Sequence, residues 1–353
     1  MTILEVAVGK VKPRIYDNTT LSTIIRFHKR ERLPFLEEAV FSLAIQHYSD
    51  LETVIILQNG TEELKRAVEE IINHQPWPST PRHQILSISI PQGGDGRSTL
   101  LNLGIKHAVG RYLAFLDDDD VVYQHGYEIL IGQLVSGGRA MAIGGCRTAR
   151  TRQEANCWYV SGKETSFPWG RSRLDLFQRN FVPIHSYVID RSRISDFELY
   201  FDDAFPLLED YDFLLRFFAR FDPDFSKLDV PVCEYRIRED GSNSIPYSHN
   251  SPSQAIAAHQ RAEQLIRRRK ETLTCLVSAN ELAELRETEL ELARLRAEHE
   301  QLHYKVARRI KVLIDRYPWV KKRLAHLIVY GWNISQRLRG RASKYRAQIQ
   351  SPL

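Results

Sequence analysis

Cysteine is scarce in this sequence, and its spacing excludes two classes of small domain. The 353 residues include four cysteines, none of them paired in a C-x-x-C motif: Cys146, Cys157, Cys233 and Cys275. This pattern excludes a dense disulfide framework and a zinc knuckle. It is typical of proteins that stay in a reducing compartment.

Long apolar segments are also missing. No run approaches the roughly 20 residues that a membrane-spanning helix needs, and the N-terminus lacks the basic start and apolar stretch of a secretory signal. The 18 glycines and 15 prolines are too few for a fibrous or wholly disordered chain, whereas 43% hydrophobic residues suffice for a globular core. We therefore expect a cytoplasmic protein of about two domains.

The net charge of +5 combines two segments of opposite sign. Residues 251–353 contain 21 Lys and Arg against 10 Asp and Glu, so this segment is basic and the first 250 residues are acidic. Such a division indicates two functional parts. We predict a catalytic domain over 1–250, a helical, coiled-coil-like segment over 251–315 and a basic amphipathic tail over 316–353.

Strand and helix patterns alternate through the first 120 residues. Helical spacing of apolar residues begins at Pro34 and recurs at 62–72 and 99–109, where Gly110 would cap the last helix. Apolar runs predict strands at 21–27, 53–57, 84–90 and 112–116. This order predicts an α/β fold whose mainly parallel sheet carries helices on both faces.

Four consecutive aspartates at 117–120 follow the fourth predicted strand. Ligands of parallel sheets bind at the carboxyl ends of the strands, so these acids are expected to meet the loops at 26–30, 58–60 and 92–97. Crowded carboxylates repel one another, and a divalent cation relieves that repulsion. Oxygen-only ligands suit Mg²⁺ or Mn²⁺, which also take phosphate oxygens. A solvated acidic turn is the alternative, but the strand-end position favours a metal site.

A second acidic segment lies at 207–216. Glu209, Asp210 and Asp212 would occupy the first turns of a helix, where carboxylates are favourable to the helix dipole. That position alone could explain them. Aromatic residues surround these acids, however, and a carboxylate beside apolar surface can have a raised pKa and act as a base.

Together, four segments resemble the motifs of the GT-A fold glycosyltransferases of family 2, over about residues 20–240. They lie at 22–30, 102–105, 115–120 and 208–216, and their order and spacing carry the resemblance. It implies a nucleotide-diphospho-sugar transferase fold with a mainly parallel mixed sheet, here with a C-terminal helical extension. It also implies inverting transfer of a sugar from a nucleotide-sugar donor to a saccharide or lipid-linked saccharide acceptor, typically in surface glycan synthesis.

Position by position, the resemblance implies a role for each site residue. Asp117 and Asp119 fall on the D-x-D motif, which holds Mn²⁺ or Mg²⁺ against the donor diphosphate. Asp210 falls on the general base that deprotonates the acceptor hydroxyl, and the neighbouring Glu209 would help to place the acceptor. The residues implied to bind the nucleotide-sugar are Arg26, His28, Asn59, Arg97, Asp117, Asp118 and Arg236.

Two departures from the family pattern leave the donor nucleotide open. The second strand ends in Gln-Asn-Gly-Thr at 58–61, so Asn59 replaces an acid that, in the family, often contacts the base of the donor nucleotide. The segment Leu-Leu-Asn-Leu-Gly at 100–104 lacks the arginine usual there, which Arg97 is expected to replace. A degenerate domain that serves as a scaffold through its coiled coil is the alternative function. A nucleotidyltransferase would explain the aspartates at 117–120 but not the acids at 209–210.

Heptad spacing of apolar residues predicts a coiled coil within 251–315 and, through it, a homo-oligomer. The repeating positions include Leu285, Leu292, Val306 and Leu313. An H-E-x-x-H sequence at 299–303 lies inside these heptads without a clear third ligand, so the helix is favoured over a zinc peptidase site.

The last 50 residues hold 13 Lys and Arg against one acid, interleaved with Trp319 and Trp332. This composition is typical of a helix at an anionic membrane surface, which would place the protein peripherally on the inner face of a membrane. Packing on its own domain or on a partner is the alternative. No nucleic-acid-binding module is recognisable, so we expect no nucleic-acid partner.

Overall fold

A parallel half-sheet is the first part of the structure, a computed structural model that describes residues 16–316 except 92, 93, 95, 155, 156, 168, 169, 196, 197 and 240–252. Its strands are β1 (Asp17–Phe27), β2 (Leu51–Gln58), β3 (Arg82–Ile88) and β4 (Gly110–Asp117), and they alternate with α1 (Leu33–Ala44), α2 (Glu62–Asn73) and α3 (Arg97–His107). The predicted α/β class is confirmed, with strand order β3-β2-β1-β4 in this half. All three pairings are parallel.

The sequence pattern predicted that Gly110 caps α3, and this prediction is wrong. The helix ends at His107, and Gly110 is the first residue of β4. A Cβ atom at this position would lie 2.5 Å from the Thr20 carbonyl oxygen and 2.9 Å from the Ser22 nitrogen. Glycine is therefore required because two backbones approach each other closely here, and not because of a left-handed turn.

The second half of the sheet is mixed. Its strands are β5 (Val121–Val122), β6 (Met141–Glu154), β7 (Cys157–Thr165), β8 (Tyr187–Asp190) and β9 (Asp224–Arg238), and its helices are α4 (Gly126–Gly137), α5 (Arg173–Gln178) and α6 (Glu209–Phe218). β8 runs antiparallel between β4 and β6 and joins the two halves. β6 then pairs with β9 in parallel. β5 pairs antiparallel with β9, and β7 pairs antiparallel with β6.

Alternate residues of the central strands pack into two apolar layers. In β1, Ile24 belongs to the layer formed with α3 and α6, whereas Ile25 and Phe27 belong to the layer formed with α1, α2 and α4. All three side chains are fully buried. Burial on both faces is what makes the central strands near-continuous apolar runs in the sequence.

Two helices follow the sheet, α7 (Ser253–Thr272) and α8 (Ala279–Arg316). The chain divides into two compact units, Met1–Leu276 and Val277–Leu353, so the first unit extends past the domain end predicted at residue 250. It does so because α7 packs on α6: Ala262 and Ile266 are buried, and Arg269 Nε lies 2.6 Å from Asp212 Oδ1.

α8 confirms the predicted C-terminal helix. Among the side chains described in this helix, Leu285, Leu292 and Leu295 are exposed, and the coiled coil stays a prediction. In the part of the chain that the structure describes, no helix has both the length and the apolarity that a membrane span requires. The predicted basic tail lies almost wholly at 317–353, outside the described residues.

Candidate active site

The ends of β1 and β4 bring the first predicted site residues together. Arg26 and Asp117 are register partners on these neighbouring parallel strands. The Arg26 Nε atom donates to Asp117 Oδ1 at 2.9 Å, and its Nη1 atom donates to Glu209 Oε1 at 2.5 Å. One guanidinium group therefore connects the aspartate run at 117–120 with the acidic start of α6.

Arginines neutralise the next two aspartates. Arg32 forms two hydrogen bonds with Asp118, at 2.6 and 2.7 Å, and its Nη2 atom also lies 3.0 Å from Asp119 Oδ2. Arg238 donates to the same Oδ2 atom. Both guanidinium groups lie over the Phe35 ring, with centroid distances of 5.7 and 5.3 Å, and this ring supports their positions.

The pKa values of these two aspartates move in opposite directions. Burial raises the pKa of Asp118 to about 6 even though Arg32 binds it. For Asp119, burial would raise the pKa, but the charges of Arg32 and Arg238 hold it below its usual value. Asp119 is therefore the more firmly ionised of the pair.

Asp120 faces inward and is paired differently. Its Oδ2 atom lies 3.2 Å from the Nδ1 atom of His185, and its Oδ1 atom accepts a hydrogen bond of 2.7 Å from the Arg236 backbone. Burial raises the pKa of Asp120 well above its usual value. The Arg236 side chain is itself paired with Glu38 and Glu234 at the edge of the site.

A strained residue precedes the second acidic segment. Leu208, the N-cap of α6, has a φ of 62°, a left-handed conformation that branched residues rarely adopt. Such strain costs on the order of 1–3 kcal/mol and is often found at functional sites. Here it directs Glu209, which is 3% exposed, toward Arg26.

Among the residues that the structure describes, Asp210 has no ion pair. Its Oδ1 atom accepts a 2.8 Å hydrogen bond from the Tyr211 backbone, and its Oδ2 atom receives a long contact of 3.4 Å from Asn180. Burial raises the pKa of Asp210, and the charge of Glu209 raises it further, to about 7. A carboxyl group with this pKa can accept a proton near neutrality.

A cavity of about 1330 Å³ collects nearly all of the predicted site residues. Its wall includes Arg26, His28, Arg97, Asp117, Asp118, Asp119, Glu209, Asp210 and Arg236. From the predicted glycine-rich loop, Gly94 and Gly96 also contribute, whereas residues 92, 93 and 95 lie outside the described residues.

Asn59 is the predicted site residue that does not line this cavity. It adopts a positive φ of 53°, which asparagine tolerates, and its Oδ1 atom accepts a 2.7 Å hydrogen bond from the Ile90 backbone. Its side chain thus joins the end of β2 to the segment after β3. The neighbouring Gln58 lines the cavity instead.

Several cavity residues were missed by sequence reasoning. Arg238 follows Arg236 on the same face of β9, so a strand alternation count could have found it, whereas Arg32 lies in the basic turn after β1. Asn180 and His185 come from irregular segments without a periodic signal. α7 contributes the remaining group from beyond the predicted domain end: His259, Glu263, Ile266, Arg267 and Lys270.

The donor set at Asp117 and Asp119 fits a hard divalent cation. Their side chains are 26% and 18% exposed and face the cavity, and both offer oxygen only. The two arginine contacts to Asp119 fall on Oδ2, so Oδ1 can coordinate a cation. Two carboxylates leave most positions of an octahedral ion for water and phosphate oxygens, which is the usual arrangement for Mg²⁺.

Comparison with known proteins gives a family match over part of the chain. Residues 22–187 match the family model "Glycosyl transferase family 2". An uncharacterized glycosyltransferase of Rickettsia felis is 29% identical over 116 residues, which cover 33% of this chain and 17% of that protein. A GalNAc(5)-diNAcBac-PP-undecaprenol beta-1,3-glucosyltransferase of Campylobacter jejuni is 30% identical over 126 residues, covering 36% of this chain and 38% of that protein.

Among solved structures, residues 1–349 of S. aureus TarS superpose with a TM-score of 0.49 at 14% identity, over 74% of this chain and 68% of that one. The chain spans well under half the length of the two curated relatives it matches. The family match ends at residue 187, so α6 with Asp210 lies beyond it.

Proposed function

We propose that this chain is a family 2 glycosyltransferase, because residues 22–187 match that family model and the motifs indicated the same family. It would transfer a sugar from a nucleotide-diphosphate donor to a saccharide or lipid-linked saccharide hydroxyl, with inversion. The observation that carries the proposal is the single cavity shared by Asp117, Asp119 and Asp210. It offers a place for an anionic donor beside a base with a pKa near neutrality.

Asp210 would act as the general base. A carboxylate with a pKa of about 7 can take the proton of the acceptor hydroxyl as that oxygen attacks the anomeric carbon. Arg26 supports this role from a distance, because its ion pair with Glu209 fixes the start of α6. Attack by a hydroxyl on one side with departure of the diphosphate on the other inverts the anomeric centre.

The diphosphate would lie at the carboxyl ends of β1 and β4. Asp117 and Asp119 would hold Mn²⁺ or Mg²⁺, which offsets the negative charge on a departing diphosphate. Arg32 and Arg238 lie beside the same carboxylates, and Arg97 begins α3 at the cavity wall. Helix N-termini and guanidinium groups both favour phosphate. The nucleoside would then extend toward Gln58.

The acceptor would enter on the α7 side of the cavity. Asn180, Tyr211, Arg267 and Lys270 line this part of the wall near Asp210. Two of these residues are cationic, which suits an acceptor that carries phosphate, such as a lipid-linked saccharide. The Campylobacter jejuni relative is named for an acceptor of that kind. We extend the same acceptor class, and a role in surface glycan synthesis, to this chain.

The proposal is tested first by ligand-induced stabilisation. The full chain is heated with Mn²⁺ and each member of a panel of nucleotide-sugars, and the cognate donor should raise the melting temperature. That donor is then incubated with saccharide and lipid-diphosphate-saccharide acceptors, and product mass and anomeric configuration are determined. Stabilisation by none of the donors would contradict the enzyme and support the scaffold alternative. A retained anomeric configuration would contradict the role of Asp210.

A further inference from the structure

A cluster of two thiols and an imidazole lies behind the aspartate run. Cys146 on β6 and Cys233 on β9 are register partners on adjacent parallel strands, and His185 occupies the turn before β8. Their exposed fractions are 5%, 0% and 2%. Donor atoms of the three side chains all lie within 4.8 Å of one another. The proposed sugar transfer uses none of these residues.

The backbone around the cluster holds the three side chains in place. The β6–β9 pairing shifts register repeatedly between Ala142 and Cys146 and is regular from Cys146 onward. Such irregularities re-aim side chains. The turn that carries His185 is closed by a 3.0 Å hydrogen bond from Ser186 N to Pro183 O, and Gly144 N donates to Ser186 O at 2.9 Å.

The Cys146–His185 separation is close to that of two ligands in a tetrahedral soft-metal site. The Cys146 Sγ atom lies 3.9 Å from His185 Nε2. With Zn–S near 2.3 Å and Zn–N near 2.0–2.1 Å, neighbouring tetrahedral ligands are about 3.6 Å apart.

The second nitrogen of His185 faces a carboxylate. Its Nδ1 atom lies 3.2 Å from Asp120 Oδ2 without the geometry of a hydrogen bond. Metal-binding histidines usually donate this N–H to a carboxylate or a carbonyl, and Asp120 is the acceptor beside it. Asp120 is in turn held by the backbone of Arg236. The cluster is thereby connected to the strand end that carries Asp117 and Asp119.

We propose that Cys146, His185 and Cys233 bind one zinc ion, at a site separate from the oxygen-ligand site of Asp117 and Asp119. Two sulfurs and one nitrogen select zinc over Mg²⁺ or Mn²⁺. Three protein ligands leave a fourth position for water, which can approach from the cavity that His185 lines. The ion anchors His185 and, through it, Asp120 at the base of the acidic strand end.

Local spacing could not reveal this site. Its three ligands come from three segments that are distant in the sequence, whereas zinc knuckles place cysteines two to four residues apart. This site is assembled only when β6 and β9 pair and the turn before β8 packs beside them.

The test uses the full chain purified under reducing conditions and dialysed into metal-free buffer. We expect about one zinc per chain by mass spectrometry of the metals. Replacement of zinc by Co²⁺ should give the visible bands of a tetrahedral ion and a near-ultraviolet thiolate-to-cobalt band. An oxygen-only site cannot give the thiolate band, so this signal distinguishes the cluster from the carboxylates of Asp117 and Asp119.

Three variants localise the ion. Cys146→Ser and Cys233→Ser should lose most of the zinc and the thiolate band, whereas the control Cys275→Ser, outside the cluster, should keep both. If the cluster variants fail to fold, alkylation of the native protein decides: a zinc chelator should expose Cys146 and Cys233 to iodoacetamide. Absence of zinc together with absence of a thiolate–cobalt band, or a Cys146–Cys233 disulfide in the reduced preparation, would overturn the proposal.

Discussion

The two acidic regions of the cavity differ in how their charges are balanced. At the end of β4, Asp117, Asp118 and Asp119 each contact at least one arginine guanidinium. At the start of α6, Asp210 has only a backbone amide and a 3.4 Å contact from Asn180 among the described hydrogen bonds. In the second region Glu209 is paired with Arg26, but Asp210 has no ion pair among the described residues.

This difference separates two chemical tasks within one cavity. Where arginines surround the acids, Asp119 stays ionised, and a donor diphosphate would find positive charge beside metal-binding oxygens. Where compensation is weak, burial and Glu209 keep the Asp210 carboxyl close to half-protonated at neutral pH. Pairs of carboxyl groups whose environments move their pKa values apart often divide binding from proton transfer.

The largest effect is expected from Asp210→Asn, which removes the base and leaves the shape unchanged. The turnover rate should fall about 10²–10⁴-fold, the usual contribution of general base catalysis. Donor binding should remain, because the arginine-rich region is untouched. Initial rates with saturating donor and Mn²⁺, together with calorimetry of donor binding, measure the two quantities. In the native enzyme, the rate should rise with pH and level off above about pH 7.

Asp222→Asn is the matched control for that substitution. Asp222 is half exposed and pairs with Arg139 on the surface, away from the cavity. Its replacement should leave the rate unchanged. If Asp210→Asn lowers the rate by less than about threefold, the loss is too small for the removal of a general base. Another residue would then have that role.

A smaller loss is expected from Asp119→Asn. Calorimetric affinity for Mn²⁺ with a nucleoside diphosphate should fall by at least about tenfold, since even indirect partners of a metal contribute that much. Asp190→Asn is the control, because Asp190 likewise contacts two arginines, Arg111 and Arg193, but does not line the cavity. Both variants should lose stability, and only the first should lose Mn²⁺ affinity. Equal affinities would separate Asp119 from the metal.

The parallel half of the fold follows from local patterns, and the mixed half does not. β1 to β4 are buried on both faces and separated by amphipathic helices, so apolar runs and helical periodicity suffice to predict them. The insertion of β8 between β4 and β6 depends on contacts such as Tyr112 with Asp190, which no local pattern contains. Gly110 illustrates the same limit, because glycine is required there by the close approach of the neighbouring strand β1, which the local sequence does not show.

In the candidate site, the motif residues were predictable and their partners were not. Asp117 and Asp210 belong to recognisable segments, and both face the cavity. Their compensation depends on Arg32, Arg238 and Asn180, which tertiary packing brings to them. Sequence crowding alone suggested that a cation must relieve the repulsion of the aspartates. The structure shows that arginines already do so.

The smallest effect concerns stability as a function of pH, and it contrasts the two regions directly. The pKa of Asp210 is raised from 3.8 in the unfolded chain to about 7 in the folded protein. The folded state therefore holds a proton that the unfolded state releases, and this contribution to stability is lost as pH rises toward 7. Asn cannot ionise, so Asp210→Asn should gain stability relative to the native chain between pH 5 and pH 7.

Urea denaturation at pH 5, 6, 7 and 8 measures this gain, which we expect to be on the order of 2 kcal/mol and to level off above pH 7. Asp119→Asn provides the contrast. The pKa of Asp119 is lowered in the folded protein, so its contribution to stability is complete above about pH 4 and is lost only below that pH. The difference in unfolding free energy between Asp119→Asn and the native chain should therefore stay constant from pH 5 to pH 8. A flat difference for Asp210→Asn as well would mean that Asp210 is ionised throughout this range. The two regions would then not differ in protonation, and the base would have to gain its proton affinity from bound substrate.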